Sequence, residues 1–272
     1  FLAGHGTDAP PFSMEYPILL INEGGQDFKE VRFENLIGFW HSATSGDYDN
    51  DGDLDIVLYD ISTPYLMENN GDATFQIFAE KDGYQSDLII EKYPTKDLVE
   101  LRVDGVFTLE MFDINGDGFL DLITSGHDYE NFPSPSKIHY GDGNGFTAGY
   151  ADLPTSVGFG ICIDIDFYDI NGDGHHEIIM NRAGDPKNGN CFYCGWNIQI
   201  LELEGNEYID RTAKYIENYN EPFTNNNWLY WIDIRDYDGD GVVELYNDDL
   251  DDNPNHLSKE WELVGEKFIT VR

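Results

Sequence analysis

The sequence predicts an all-β protein built from repeated units of four short antiparallel strands. Three observations lead to this prediction. An acidic loop of one pattern occurs four times among the 272 residues. The loops begin at residues 47, 113, 169 and 236, which gives spacings of 66, 56 and 67 residues. Each loop runs directly into a short segment rich in β-branched, aliphatic or aromatic residues, as expected for a strand.

Each acidic loop places oxygen-bearing side chains at alternate positions. A carboxylate stands at position one, Asp or Asn at three, Asp at five, Gly at six and Asp or Glu at nine. In the first loop these residues are Asp47, Asp49, Asp51, Gly52 and Asp55. Oxygen ligands at alternate positions around a sharp glycine turn suit a hard cation that takes about six to eight oxygens. The pattern therefore predicts a metal site in each loop.

Calcium fits these loops better than other common metals. Mg2+ retains its waters, and transition metals prefer imidazole or thiolate ligands. An EF-hand needs an acidic residue at position twelve and flanking helices. Position twelve holds Leu58, Thr124, Met180 and Asn247, so the EF-hand is excluded. Clustered carboxylates without a cation would repel one another by several kcal/mol. We therefore predict one Ca2+ per loop, about four ions in all.

The segments around each loop predict four strands per unit. In the first unit, residues 39–43 precede the loop, residues 54–59 follow it, and residues 64–68 and 74–78 form a hairpin across an Asn-Asn-Gly-Asp turn. Four-stranded units that repeat at this period are typical of β-propeller blades. The corresponding segments are 106–112, 120–124, 137–140 and 146 in the second unit, 160–167, 178–180, 197–201 and 207–209 in the third, and 228–234, 242–246, 261–264 and 267–271 in the fourth.

The rest of the chain fits the same organisation. Residues 1–36 repeat the pattern without an acidic loop, so we expect the chain to begin inside an incomplete blade. Residues 81–102 are an insertion, for which a short helix and a surface loop are both open. We predict one propeller domain over residues 1–272. Its blades cover residues 1–36 in part, 37–80, 103–153, 158–212 and 226–272.

Composition limits the class of partner. Apolar residues make up 40% of the chain and aromatic residues 14%, which is enough for a core. The formal charge is −38, and four Ca2+ ions would leave about −30. Such a chain repels DNA, RNA and anionic lipid, and no Lys/Arg cluster offsets the charge. No segment approaches the ~20 apolar residues of a membrane span. We predict no nucleic-acid binding and no direct membrane insertion.

The three cysteines leave two alternatives open. Cys191 and Cys194 have the spacing of a local disulfide or of half a zinc site, although a zinc site would need further ligands. Cys162 stands alone in an apolar segment. Millimolar Ca2+ outside cells suits loops of this kind, so we predict an extracellular, secreted or cell-surface location.

The loops and strands together resemble the FG-GAP/VCBS repeat family. The matching residues read GDYDNDGDLDIV from Gly46 and YLMENNGDATF from Tyr65. Members of this family are calcium-loop β-propellers related to the head of integrin α subunits. The resemblance implies that positions one, three, five and nine bind Ca2+ through side chains and position seven through its carbonyl. The implied ligands are Asp47, Asp49, Asp51, Asp53 and Asp55; Asp113, Asn115, Asp117, Phe119 and Asp121; Asp169, Asn171, Asp173, His175 and Glu177; and Asp236, Asp238, Asp240, Val242 and Glu244.

Candidate ligand-binding residues are fewer. His5 and His127 occupy matched Gly-His positions, but no nucleophile, base and acid are arranged as a catalytic set, so we predict no enzyme activity. Trp196 lies in a Gly/Asn-rich segment, and we expect it to be exposed and able to stack on a sugar ring. Trp228, Tyr230 and Trp231 precede the last loop in a segment that we expect to be an alternating strand, with either Trp228 and Tyr230 or Trp231 on the face in the core.

These observations predict a calcium-stabilised binding or adhesion module for a protein or a glycan. The Pro-rich connections at residues 8–16 and 131–136 are expected to lie on one rim of its ligand surface. Two alternatives stay open. One is the scaffold of a propeller-fold carbohydrate-active enzyme, similar to a polysaccharide lyase, and the other is a structural subunit of a surface assembly.

Overall fold

The computed structural model describes most of the chain. The described residues are 1–4, 13–60, 63–80, 95–96, 101, 103, 105–127, 134–156, 158, 160–184, 187, 191, 193–221, 228–247 and 259–271. His5, most of the insertion at 81–102 and parts of both Pro-rich connections lie outside them.

The described residues form β-strands and one short helix. No helix among them has the length and apolarity needed to cross a membrane. The strands are β1 Ile18–Gly24, β2 Asp27–Arg32, β3 Trp40–Gly46, β4 Asp55–Asp60, β5 Thr63–Asn69, β6 Phe75–Glu80, β7 Thr95–Lys96, β8 Val106–Phe112, β9 Asp121–Gly126, β10 Lys137–Tyr140, β11 Gly149–Asp152, β12 Ile161–Tyr168, β13 Glu177–Ala183, β14 Trp196–Glu204, β15 Glu207–Asp210, β16 Asn220–Glu221, β17 Ile232–Arg235, β18 Glu244–Asn247, β19 Glu260–Val264 and β20 Lys267–Thr270; the helix is α1 Thr212–Tyr215.

The strands form sheets whose order follows the chain. β3 to β6, β8 to β11, β12 to β15 and β17 to β20 each lie side by side in sequence order, with β7 added beside β6 and β16 beside β14. The recorded pairs within these four-stranded runs are antiparallel. β1 and β2 form a separate hairpin. The prediction of an all-β protein with four strands per acidic loop is confirmed.

Some strands differ from the prediction. The fourth strand of the second unit is β11, whereas Phe146, where the sequence placed it, is buried against Tyr48 with ring centroids 5.3 Å apart. The Asp142 carboxylate accepts a hydrogen bond from the Thr147 hydroxyl at 2.7 Å, which extends the turn and delays the strand. In the insertion, β7 pairs parallel with β6.

The chain divides into two compact units. The first comprises Phe1–Asp113, Asp117–Thr124 and His139–Tyr150. Every residue of β4 is buried, because this strand lies between two neighbours and is covered on both faces. Its side chains alternate between two cores: Val57 and Tyr59 pack in one, and Ile56 and Leu58 in the other.

The second unit comprises Ile114–Gly116, Ser125–Ile138 and Ala151–Arg272. Every residue of β13 is buried, as in β4. The core of this unit joins residues of β13 and β14 to those of the last sheet, and Trp261 in β19 is fully buried within it. Helix α1 contributes Tyr215 to the same core.

Candidate metal centres and an aromatic surface

All four acidic loops fold through the same hydrogen bonds between side chains and backbone. In each loop the carboxylate of position one accepts a hydrogen bond from the Gly N–H of position six, at 3.1, 2.9, 2.9 and 3.0 Å in chain order. The carboxylate of position five accepts one from the N–H of position seven, at 2.9, 2.9, 2.8 and 2.8 Å. These bonds curl the backbone so that acidic side chains converge.

Positions four and six of each loop adopt left-handed backbone conformations. Position six is Gly in every loop, with φ between 90° and 97°. Position four is Asn50 in the first loop and Gly in the others, with φ between 60° and 80°. Asn and Gly tolerate this region best, so both positions are needed for the tight turn. The glycine turn at position six was predicted from the sequence, whereas the left-handed conformation at position four was not.

Position nine is buried and closes the loop. Asp55, Asp121, Glu177 and Glu244 are at most 5% exposed. In the first, third and fourth loops this carboxylate accepts a hydrogen bond from the N–H of position two, at 3.3, 2.7 and 2.6 Å. Burial, with neighbouring acids, raises the pKa of Asp55 to about 6 and of Glu177 to about 7. Asp55 and Glu177 therefore hold their charge less readily than exposed acids do.

Acidic side chains of the first and fourth loops lie close enough to share a metal ion. Oxygens of Asp47, Asp49 and Asp51 lie within 4.8 Å of one another. Oxygens of all four acidic residues of the fourth loop, Asp236, Asp238, Asp240 and Glu244, meet the same limit. These all-oxygen sets fit a hard divalent cation, and they could bind metal.

The second and third loops have Asn at position three. In the third loop the Asn171 amide donates a hydrogen bond to Glu177 Oε1 at 3.1 Å, and its own oxygen accepts one from the Asp173 N–H at 2.8 Å. Asn115 in the second loop is exposed. These two loops therefore present fewer carboxylates than the first and fourth loops.

The cysteine alternatives are resolved. Cys191 and Cys194 form a disulfide, with Cα atoms 5.7 Å apart, so they are not half of a zinc site. Cys162 is a free, buried thiol, and burial raises its pKa.

The prediction that Trp196 is an exposed ligand-stacking residue is wrong. Trp196 begins β14 and is 2% exposed. Its ring packs edge-on against that of Trp261 at 5.8 Å, and its Nε1 donates a hydrogen bond to Glu221 at 3.3 Å. The glycine-rich segment ends one residue earlier, so Trp196 already takes part in the buried sheet.

The prediction that either Trp228 and Tyr230 or Trp231 lies in the core is also wrong. Trp231 is 62% exposed, and Trp228 and Tyr230 are half-buried. The expected strand begins only at Ile232, so the alternation of a strand does not apply to the preceding residues. Leu229 and Ile232 are buried instead.

Four rings form a continuous row, here called the aromatic surface: Tyr193, Trp228, Tyr230 and Trp231. Successive ring centroids lie 4.5, 4.2 and 5.3 Å apart. Tyr193, at one end, is 40% exposed, and it lies between the disulfide-bonded cysteines. The row therefore presents large rings to solvent at both ends.

The comparisons with known proteins agree with the loop pattern. Residues 113–180, which contain the second and third acidic loops, match the model of the FG-GAP-like repeat. The chain matched no curated protein. FG-GAP repeats are associated with calcium, and with β-rich binding and adhesion modules typical of extracellular proteins. The resemblance found in the sequence is confirmed over residues 113–180, which match the FG-GAP-like repeat.

Proposed function

We propose that the protein is a calcium-stabilised, extracellular β-propeller module that binds a protein or a glycan. The aromatic surface carries the binding part of this proposal. Exposed aromatic rings in contact with one another are costly to leave in water and are enriched at binding sites. In this chain they are held at fixed positions rather than scattered.

Calcium would act on the loops as a structural ion. It supplies positive charge among carboxylates that otherwise repel. Side chains at positions one, three and five would hold it, as their convergence in the first and fourth loops supports. At position nine, the buried acids Asp55 and Glu177 would gain a partner for a charge that burial now disfavours. Binding to the folded state alone stabilises that state.

The propeller arrangement and the location are parts of the same proposal. Four sheets with strands in chain order, one acidic loop each, are the pattern of propeller blades. A disulfide between Cys191 and Cys194 suits an oxidising environment outside the cell. The strong negative charge disfavours anionic polysaccharides, and with them a lyase acting on such polymers.

Chelation tests the calcium part. We expect EDTA to lower the melting temperature substantially and excess Ca2+, but not equimolar Mg2+, to restore it. An unchanged melting temperature on chelation would refute calcium stabilisation. Glycan-array and pull-down screening of the Ca2+-loaded protein tests the binding part. If no ligand is found whose binding depends on the aromatic surface, the binding part is refuted.

A further inference from the structure

We propose that the aromatic surface is a binding site for a neutral glycan, with sugar rings stacked on its two exposed rings, Trp231 and Tyr193. This inference rests on the proposed binding function and names its ligand class. Its starting point is the row of contacting rings, which offers apolar area at both exposed ends and half-buried rings between them.

Hydrogen bonds to residues of β12 and β13 hold the backbone of the aromatic surface in place. The Asn181 side chain, fully buried in β13, donates hydrogen bonds to the backbone carbonyls of Leu229, at 3.0 Å, and Tyr230. The Asp164 carboxylate accepts one from the Ile232 N–H at 2.8 Å. Leu229 itself is fully buried in the core.

The other end is held in the same way. The N–H of Gly184, which follows β13, donates a hydrogen bond to the Cys194 carbonyl at 3.1 Å, and the disulfide closes the segment that carries Tyr193. A surface whose backbone is fixed before binding loses little entropy on binding. These rings are therefore arranged in advance for a ligand with flat apolar faces.

The charges around the aromatic surface favour an uncharged ligand. A formal charge of −38 opposes sulfated or uronic-acid polymers. A basic peptide would seek carboxylates beside the rings, but two carboxylates that the structure describes next to this segment, Asp164 and Asp233, are already engaged. Asp164 accepts from the Ile232 N–H, and Asp233 pairs with Arg235 at 3.2 Å and accepts from the Tyr246 hydroxyl at 2.7 Å.

A neutral sugar matches the exposed aromatic rings of this surface. One face of a pyranose ring presents C–H groups, which pack on aromatic faces, while its hydroxyls stay at the edge. Trp and Tyr combine an apolar ring with one polar group, so they accommodate both parts of a sugar. Trp231 and Tyr193, the exposed rings at the two ends of the row, could contact different sugars of one chain, which favours an oligosaccharide over a single sugar.

The test uses the whole Ca2+-loaded chain and a panel of soluble neutral polysaccharides: glucans, mannans, galactans and xylans. Binding is measured by affinity electrophoresis and, for the matching oligosaccharide, by calorimetry. Trp231→Ala and Trp228→Ala are compared with Phe28→Ala, which removes a ring that is 58% exposed outside the aromatic surface. Far-UV circular dichroism and melting curves verify that each variant folds.

We expect at least one neutral class to bind, and Trp231→Ala to weaken that binding by about tenfold or more. Phe28→Ala should leave it within about twofold. No binding to any panel member, or binding that survives Trp231→Ala and Trp228→Ala, would overturn the inference. Binding of basic peptides that weakens with salt and depends on Trp231, without glycan binding, would overturn this inference alone and leave the proposed binding function standing.

Discussion

The carboxylate of Asp55 accepts a hydrogen bond from the backbone N–H of Asn69 at 2.9 Å. Asp55 ends the first acidic loop and begins β4, whereas Asn69 ends β5, so one buried acid joins the loop to the neighbouring hairpin. Asp121 makes the equivalent bond with Gly141, directly after β10, at 2.8 Å. A substitution in a loop should therefore also change the stability of the strand pairs beside that loop.

Replacing Asp51 by Asn should have opposite effects with and without calcium. The amide oxygen can still accept the hydrogen bond that Asp51 now accepts from the Asp53 N–H at 2.9 Å. Without Ca2+ the variant should be as stable as the wild type or slightly more so, because one repelling charge is lost. With excess Ca2+ it should melt several degrees lower, roughly 1 kcal/mol less stable. Asp27→Asn, the same change in β2, should show no such reversal, and a reversal there would argue against a loop-specific effect.

Calcium affinity at the third loop should depend on pH. Burial, with the nearby acids Asp173 and Glu202, raises the pKa of Glu177 to about 7 in the ion-free protein. A proton on this group competes with the ion, so affinity should fall about tenfold from pH 8 to pH 6. Calorimetry in two buffers of different ionisation enthalpy would detect the released proton. Glu177→Gln should abolish that release, and identical affinities at both pH values would contradict the prediction.

Asp166 should destabilise the folded protein at neutral pH. Burial, with the charge of Asp233, raises its pKa to about 6, against the opposing hydrogen bond that it accepts from the Phe167 N–H at 2.7 Å. The folded state thus binds the proton more tightly than the unfolded state, and this contribution to stability is lost as pH rises from about 4 through 6. Asp166→Asn should be about 1 kcal/mol more stable than the wild type at pH 7 and no more stable at pH 4, measured by urea unfolding. Equal differences at both pH values would refute this account.

Two tryptophans should differ sharply in their effect on stability. Trp196 is 2% exposed and packs on Trp261, so Trp196→Ala should cost about 3–5 kcal/mol. Trp231 is 62% exposed, so Trp231→Ala should change stability by no more than about 0.5 kcal/mol. Denaturant unfolding in saturating Ca2+ measures both. Similar losses for the two variants would show that the burial described above is wrong.

The loops and strands were predictable because both follow from local chemistry. Alternating acids with Gly52 or its equivalents specify a tight turn, and β-branched residues after the turn specify a strand. The burial of position nine was not predicted. Whether Asp55 faces an ion, a backbone N–H or both depends on the hairpin that ends at Asn69, which lies 14 residues further along the chain.

The aromatic residues were not predictable in the same way. Trp196 looked exposed because glycine and asparagine precede it, but its burial is decided by Trp261, 65 positions away in the sequence. The segment at Trp228 to Trp231 looked like a strand because of its composition. The position of its backbone is instead set by the Asn181 side chain, which donates hydrogen bonds to the carbonyls of Leu229 and Tyr230. These bonds take the place of the hydrogen bonds of a sheet. Tertiary contacts overrode local propensity in both cases.

The Cys191–Cys194 bond has a consequence for where this molecule can act. Only two residues lie inside that covalent ring, and one of them is Tyr193, whereas the other three rings are secured without sulfur chemistry. A reducing medium would therefore loosen one end of the row and leave the rest in place. The proposed glycan site would then lose its stacking position at Tyr193 and keep the one at Trp231. The length of polymer that it contacts would therefore depend on the redox state of its surroundings.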